Sequence, residues 1–117
     1  MLGGCSLLAA ELLSLAARAG LDREKAFGTL SRVMPMLQVR RRSYLERVHE
    51  PPMFTLDGLV KDLTLALDLG RAAGAPLPIV ALVRELCAEA ALDHGHREMS
   101  VVIERYLAAG TKAEKGT

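Results

Sequence analysis

Residues 54–86, FTLDGLVKDLTLALDLGRAAGAPLPIVALVREL, decide the fold of this chain, because they hold two apolar helical segments joined by a turn rich in glycine and proline. On a helix that turns about 100° per residue, the leucines and valines of the first segment gather on one arc. Asp62 falls inside that arc, and Lys61 falls at its polar edge. A carboxylate removed from water needs a partner or hydrogen bonds to stay charged. We therefore predict that Asp62 is either locked into a structural network or held ready for a ligand.

The first helix of this stretch is predicted to start at Thr55, a residue type that caps helix N-termini, and to end near Gly74. It carries apolar residues on more than one side, so we expect it to be the core helix, packed on several neighbours. Pro76 and Pro78 then force a short extended turn. A second apolar segment repeats at helical spacing down to about Leu92 and should pack antiparallel to the first.

Two further helices are predicted before this hairpin. The first covers residues 2–19, with Gly20 well placed as its C-cap, and the second starts at Asp22 as N-cap and ends at Pro35. Each carries apolar residues at helical spacing. The positions predicted to be buried in these two helices are Leu8, Leu12, Leu15, Ala19, Ala26, Leu30 and Val33.

The remaining helical signals are shorter. A short helix is predicted at residues 43–48, and a final helix should run from Met99 or Ser100 to about residue 108, started by Ser100 or Glu98. The apolar positions expected to be buried in the final helix are Val102, Ile103 and Tyr106 or Leu107. No stretch alternates with period two over enough residues to predict a sheet.

The length and composition fit one all-α domain. The chain has 117 residues, of which 50% are hydrophobic but only 3% are aromatic. Its apolar content is therefore mainly Leu, Ala and Val, which suits helix packing better than strand pairing. We predict a compact multi-helix bundle of about five to six helices over residues 1–109. Residues 110–117 are small and charged and are predicted to form a flexible tail.

The charge balance and the cysteine content indicate which classes of partner and which cellular compartment the sequence favours. Fifteen basic and fourteen acidic residues leave a net charge of +1, which favours neither nucleic acid nor an anionic membrane. The apolar N-terminus has no basic region before it, and Glu11 and Arg18 interrupt it before it reaches spanning length, so we interpret it as a helix of the fold. Cys5 and Cys87 fit no CxxC pattern, which favours reduced thiols in a cytoplasmic protein.

Taken together and in order, several short motifs resemble one family over nearly the whole chain. They are an Ala/Leu-rich first helix, AGLD at residues 19–22, Phe54 followed by KDL at residues 61–63, the GAPLP turn at residues 74–78 and the closing SVVIE at residues 100–104. This arrangement resembles the C-terminal helical domain of the β-hydroxyacid dehydrogenases, which include 3-hydroxyisobutyrate dehydrogenase and tartronate semialdehyde reductase. The acidic residue that the family carries before its last helix appears here as Glu98.

The resemblance implies a fold like the C-terminal domain of 6-phosphogluconate dehydrogenase, and a site. In this family an N-terminal Rossmann domain binds NAD or NADP, and the helical domain closes the cleft around a small hydroxy acid and supplies much of the oligomer interface. By resemblance, Lys61 would approach the nicotinamide end of the cofactor, and Phe54 and Asp62 would line or brace the substrate pocket. The family's catalytic lysine lies upstream of the residue that matches Glu11. This sequence begins after that point, so the isolated chain is expected to be inactive.

Simpler interpretations stand beside these. Lys61 and Asp62 are also explained by an exposed lysine next to an aspartate that a neighbouring helix satisfies, and Phe54 by a role in the core. The chain is alternatively a stand-alone helical module that associates with itself through exposed leucine and alanine surface, with no catalytic role.

Two charged motifs receive a structural interpretation. His94 and His96 are two residues apart, a separation that does not place both rings on one helical face, so no metal site is predicted. Three consecutive arginines, residues 40–42, would suit a phosphate or a carboxylate, but a solvated charge cluster between helices is the default interpretation.

Overall fold

The structure, a computed structural model that describes residues 1–108, is built of helices. The elements are α1 (Leu2–Arg18), α2 (Arg23–Val33), a 3₁₀ helix (Pro35–Arg40), α3 (Arg41–Glu46), α4 (Leu56–Ala73), α5 (Pro78–His94) and a second 3₁₀ helix (Met99–Val102) that continues as helix through residues 103–108. No strand occurs in these 108 residues, where the β-type pairing is an isolated bridge between Thr55 and Glu98. The predicted all-α class is confirmed, while the predicted tail lies outside the described residues.

The helix ends follow local chemistry, as predicted. Asp22 caps α2 by accepting hydrogen bonds from the N–H groups two and three residues later, at 2.9 and 3.2 Å. Thr55 caps α4 by accepting the N–H three residues later at 3.1 Å. Gly20 and Gly74 follow α1 and α4 with φ angles of 75° and 70°. Glycine adopts this left-handed conformation without a steric penalty.

Helices α4 and α5 form the predicted antiparallel hairpin. Gly70 near the end of α4 packs on Leu77 just before α5, where a Cβ at residue 70 would lie 2.6 Å from the leucine Cδ1 atom. Midway along, the Nε–H group of Arg84 donates to the hydroxyl of Thr64 at 3.2 Å. At the other end, Gly95 lies against Asp57 in the first turn of α4. Contacts at both ends and the middle therefore fix the register of the two helices.

The prediction that α4 is the core helix is wrong. Its buried residues are Leu56, Leu59 and Gly70, whereas Leu65 and Leu69 are 58% and 71% exposed. Helix α4 packs mainly along α5, with a smaller contact to the 3₁₀ helix Met99–Val102, so most of its circumference faces solvent. Apolar periodicity shows which residues share an arc but not whether a neighbouring helix covers that arc.

The core lies between α1, α5 and the C-terminal helical segment. Helix α1 buries the face that contains Leu7 and Leu13, not the one predicted, because it is apolar almost all round and its alanines permit close packing. A Cβ at Gly3 would lie 2.9 Å from Val83 Cγ1 and 3.3 Å from Leu59 Cδ2, so α1 meets the hairpin closely. The residues predicted to be buried but found exposed are Leu8, Leu12, Leu15, Ala19 and Val33.

Several positions of α2 and of the last helix that were predicted to be buried are at least partly buried. Ala26 and Leu30 of α2 are half-buried against the core, and Val102 and Ile103 are buried.

Within residues 1–108, no helix combines the length and the apolar character that a bilayer crossing requires.

Candidate functional site

The start of α4 holds the three residues that the sequence singled out. Thr55 starts the helix, so Phe54 lies just before its first turn and Lys61 and Asp62 lie in its second turn. Glycine at residue 58 leaves room for the phenylalanine ring, because a Cβ there would lie 2.9 Å from Phe54 Cε1. The ring is half-buried and packs against the hydrophobic core.

The backbone of Phe54 is clamped from both sides by the segment that begins the last helix. Its N–H group donates to Glu98 Oε1 at 3.3 Å, and its carbonyl accepts the N–H of Met99 at 2.9 Å. The next hydrogen bond along the chain joins the N–H of Leu56 to the carbonyl of Arg97 at 2.9 Å. Phe54 is therefore fixed by chain segments more than forty residues away in sequence.

Lys61 and Asp62 are both exposed, and neither side chain makes a hydrogen bond or ion pair within residues 1–108. The prediction of a buried Asp62 is therefore wrong, because no other helix of the described residues covers the side of α4 that carries it. Adjacent helical residues diverge by about 100°, so the two side chains leave the helix in different directions. Both charges are available to a ligand or a second domain that approaches from solvent.

Glu98 is the centre of a buried polar network behind Phe54. Its side chain is 5% exposed, and it forms an ion pair with Arg40 at 3.3 Å. It also accepts the N–H of Ser100 at 2.7 Å, which caps the C-terminal helical segment. Arg40 is 7% exposed, so the predicted solvated arginine cluster is wrong at that position, although Arg41 and Arg42 are exposed.

A chain of hydrogen bonds, which we call the His49 chain, runs from Glu98 through Ser100, Ser43 and His49 to Glu104. The Ser100 hydroxyl contacts Glu98, and Ser100 Oγ lies 2.6 Å from Ser43 Oγ. Ser43 Oγ lies 2.5 Å from His49 Nδ1, and His49 Nε2 lies 2.8 Å from Glu104 Oε2. The imidazole is almost completely buried, at 2% exposed.

The partners along the His49 chain indicate what it can do. Ser43, His49 and Glu104 have the residue types of a hydrolytic triad. However, Ser43 Oγ contacts Ser100 Oγ as well as the imidazole, and the Glu104 carboxylate is bound by Arg47 as well as by His49. The geometry therefore supports a structural network rather than a serine nucleophile.

The far end of the His49 chain is held by an arginine. Arg47 contacts the Glu104 carboxylate through two nitrogens, with its Nε at 2.9 Å from Oε2. Hydrogen bonding from Arg47, followed by that from His49, lowers the pKa of Glu104 to about 2 against the opposing effect of burial. Arg47 itself adopts a positive φ of 58° at the end of α3.

Sequence reasoning did not find the His49 chain. Its directly bonded members lie as far as 57 residues apart in sequence, as Ser43 and Ser100 do, and no fixed spacing links them. The histidine pair that did attract attention, His94 and His96, gains no third ligand. Residues 1–108 hold no group of three or more His, Cys, Asp or Glu side chains that could bind a metal ion.

The described residues thus form an all-helical domain in which the backbone of Phe54 is clamped at the start of α4 and a Lys-Asp pair is exposed in the second turn of that helix. The comparisons with known proteins identify which kind. Residues 1–106 match the model of the family described as NAD-binding of NADP-dependent 3-hydroxyisobutyrate dehydrogenase, and the chain belongs to this family. The family predicted from the sequence is therefore confirmed.

Solved structures agree with the family assignment. The 3-hydroxyisobutyrate dehydrogenase of Salmonella typhimurium is 28% identical over 88% of this chain, with a TM-score of 0.76. The Mycobacterium tuberculosis 3-hydroxyisobutyrate dehydrogenase, solved with L-serine, is 26% identical over 89% of the chain, with a TM-score of 0.73. The match spans only 38% and 39% of those two proteins. No curated protein matches the sequence.

Proposed function

We propose that this chain is the C-terminal domain of an NAD(P)-dependent β-hydroxyacid dehydrogenase and forms the substrate side of a cleft whose other side is a nucleotide-binding domain. The proposal rests on Lys61 and Asp62 of α4, which are exposed and have no side-chain partner within residues 1–108, in a chain that belongs to this family. An unpaired lysine and aspartate on one helix are suited to a ligand that bears both charge and hydrogen-bonding groups.

Each residue has a separate role in this proposal. The Lys61 ammonium attracts the anionic substrate or the nicotinamide end of the cofactor, Asp62 orients donors around it, and the Phe54 ring forms an apolar wall. The cofactor, when bound, supplies the hydride acceptor. Because the backbone of Phe54 is clamped at both its N–H and its carbonyl, the point from which the ring extends is fixed before a ligand arrives.

We further propose that the 117 residues alone do not catalyse the reaction. Oxidation of a hydroxyl by hydride transfer also requires a group that removes the hydroxyl proton. His49 is buried and engaged on both ring nitrogens, so it does not serve as that base. The free thiols of Cys5 and Cys87 fit a reducing compartment and support cytoplasmic localisation.

Calorimetry with and without a nucleotide-binding domain tests this function. NADH and a small 3-hydroxy acid are titrated into the chain alone and into the chain mixed with a Rossmann domain of the same family. We expect measurable heat only in the mixture and a loss of about tenfold in affinity for Lys61→Ala, since one charged contact is worth roughly that much. Lys25→Ala, which removes an exposed lysine from α2, is the matched control. Equally negligible binding with and without the added domain would defeat the proposal.

A stripe of exposed leucines on α1 supports a second role in self-association. Leu8, Leu12 and Leu15 recur every three to four residues and are 50%, 37% and 61% exposed. Adjacent leucines in such numbers leave apolar surface that a second copy of the chain can cover. We propose that this leucine stripe is a dimer interface, either in the dehydrogenase or, as the alternative function, in a stand-alone self-association module.

Sedimentation equilibrium at several concentrations tests the interface. The double variant Leu8→Gln with Leu15→Gln should weaken association at least about tenfold, because it removes two apolar contacts from each copy. Leu69→Gln, at a leucine of α4 that is 71% exposed, is the control. A wild-type chain that stays monomeric at high concentration argues against this interface. Dimerisation without NADH binding, even with a Rossmann domain present, would favour the stand-alone module.

A further inference from the structure

A cavity of about 220 Å³ opens beside the buried pair of Arg40 and Glu98. Ser43 lies with them as a third buried lining residue, and the other residues around the cavity are exposed side chains of the 3₁₀ helix Pro35–Arg40, α3 and the loop before α4. The residues assigned to the cleft, Phe54, Lys61 and Asp62, do not line it. The cavity is therefore a separate place where a ligand can reach buried polar groups.

Arg40 is only partly satisfied by the protein. Its Nε–H group donates to Glu98 at 3.3 Å, and its Nη1 donates to the carbonyl of Met36 at a long 3.4 Å. Within residues 1–108, Nη2 makes no hydrogen bond. A guanidinium has five N–H groups, and Nη2 is open to solvent rather than buried without a partner. Because Arg40 lines the cavity, these N–H groups are free for an acceptor that enters it.

The charges around the cavity favour an anion. Glu98 is neutralised by Arg40, and Glu50 forms an ion pair with Arg97 at 3.1 Å. Arg42 has no such partner in the described part of the chain. One positive charge therefore remains uncompensated beside the partly satisfied guanidinium of Arg40, and planar carboxylates suit arginine donors.

The apolar part of the lining restricts the kind of anion. Val39, Val48 and Met53 border the cavity and are 62%, 37% and 61% exposed. A bare inorganic ion would leave these side chains in water, whereas an alkyl group would cover them. Since one water takes up about 30 Å³ in the liquid, the cavity holds the equivalent of about seven waters, enough for a molecule of roughly six non-hydrogen atoms.

We propose that this cavity binds a small aliphatic monocarboxylate, with its carboxylate on Arg40 and Arg42 and its alkyl chain against Val48 and Met53. The proposal is independent of the dehydrogenase function, because it uses none of the cleft residues. It also assigns a reason for the burial of Arg40, which serves both as the counter-charge of Glu98 and as a donor to the ligand.

Heteronuclear NMR titration of the full 117-residue chain tests the site with four probes at constant ionic strength: butyrate, acetate, 1-butanol and inorganic phosphate. We expect saturable shifts with butyrate at the Arg40 Nε–H and at the amides of Ser43 and Met53, with a dissociation constant near ~1 mM for so small a ligand. Acetate lacks the alkyl chain and butanol lacks the charge, so both should bind at least about tenfold more weakly. Phosphate that saturates at the same concentrations as butyrate would overturn the assignment to a monocarboxylate.

Matched variants locate the bound molecule. Arg42→Gln should weaken butyrate binding about five- to tenfold, because it removes the uncompensated charge from an exposed position without disturbing the core. Arg41→Gln removes an exposed charge that pairs with Glu24 and does not line the cavity, and it should stay within about twofold of wild type. Equal losses in both variants, shifts that never saturate, or a loss of butyrate binding in Lys61→Ala would each overturn the proposal, the last by placing the ligand on the cleft face.

Discussion

Replacement of Glu98 by glutamine tests how strongly one buried carboxylate holds the fold together. The substitution keeps the size of the side chain but removes the charge that balances Arg40, whose side chain is 7% exposed. It also replaces one of two oxygens that together accept hydrogen bonds from Arg40, Phe54 and Ser100. A buried arginine without a counter-charge is expected to cost about 3–5 kcal/mol. Because a domain of this kind is stabilised by only about 5–15 kcal/mol, Glu98→Gln should remove a large share of its stability.

A double-mutant cycle separates the ion pair from the rest of the network. Arg40→Met alone leaves Glu98 buried without its partner and should also destabilise by roughly 3 kcal/mol. The double variant carries neither charge, so its cost should be no greater than that of either single variant, which corresponds to a coupling of at least about 3 kcal/mol. Urea unfolding followed by far-UV circular dichroism measures all four proteins. Additive costs, or a loss below about 1 kcal/mol for Glu98→Gln, would refute the reasoning.

Three further predictions follow from other contacts. The pKa of Glu104 is lowered from 4.5 to about 2, so its stabilising contribution is present above pH 4.5 and is lost as the pH falls towards 2. After allowance for the exposed Arg47, this contribution should be roughly 2 kcal/mol, and Glu104→Gln should flatten the stability profile over that window in acid unfolding experiments. Burial raises the pKa of the Cys87 thiol to about 11, so iodoacetamide should label Cys5 first in the folded chain, and equal labelling by mass spectrometry would contradict this. A Cβ at Gly3 would lie 2.9 Å from Val83. Gly3→Ala should therefore destabilise by about 1–3 kcal/mol in urea unfolding, and an unchanged midpoint would show that the helices separate freely.

Features set by neighbouring residues in the chain were predictable from the sequence. Asp22 and Thr55 cap their helices because the groups they bind lie within three residues, and Gly20 and Gly74 follow the helices that they were predicted to terminate. The turn containing two prolines likewise produced the expected hairpin. The family motifs were also recognisable, since each is a short run of sequence in a fixed order.

Features set by partners distant in the chain were not predictable. Leu8 and Leu13 are equally apolar, and only the position of the neighbouring helices decides that Leu13 is buried and Leu8 is half exposed. The burial of Arg40 depends on Glu98, which lies 58 residues later in the chain. No local sequence pattern predicts such an ion pair. For the same reason Asp62, which lies inside an apolar arc, was predicted to be buried, although no helix in the described part of the chain covers it. The roles of Phe54, Lys61 and Asp62 stay predictions until ligand binding is measured.

The clamp on residue 54 has a consequence for redesign. Both main-chain groups of Phe54 are engaged by residues 98 and 99, so the direction in which a side chain leaves this position is set by the scaffold rather than by the aromatic ring. Leucine or tyrosine introduced there would leave the backbone in the same direction as phenylalanine and would change only the length and polarity of the side chain. A small set of variants at this one position would therefore test which ligands are preferred without altering the backbone.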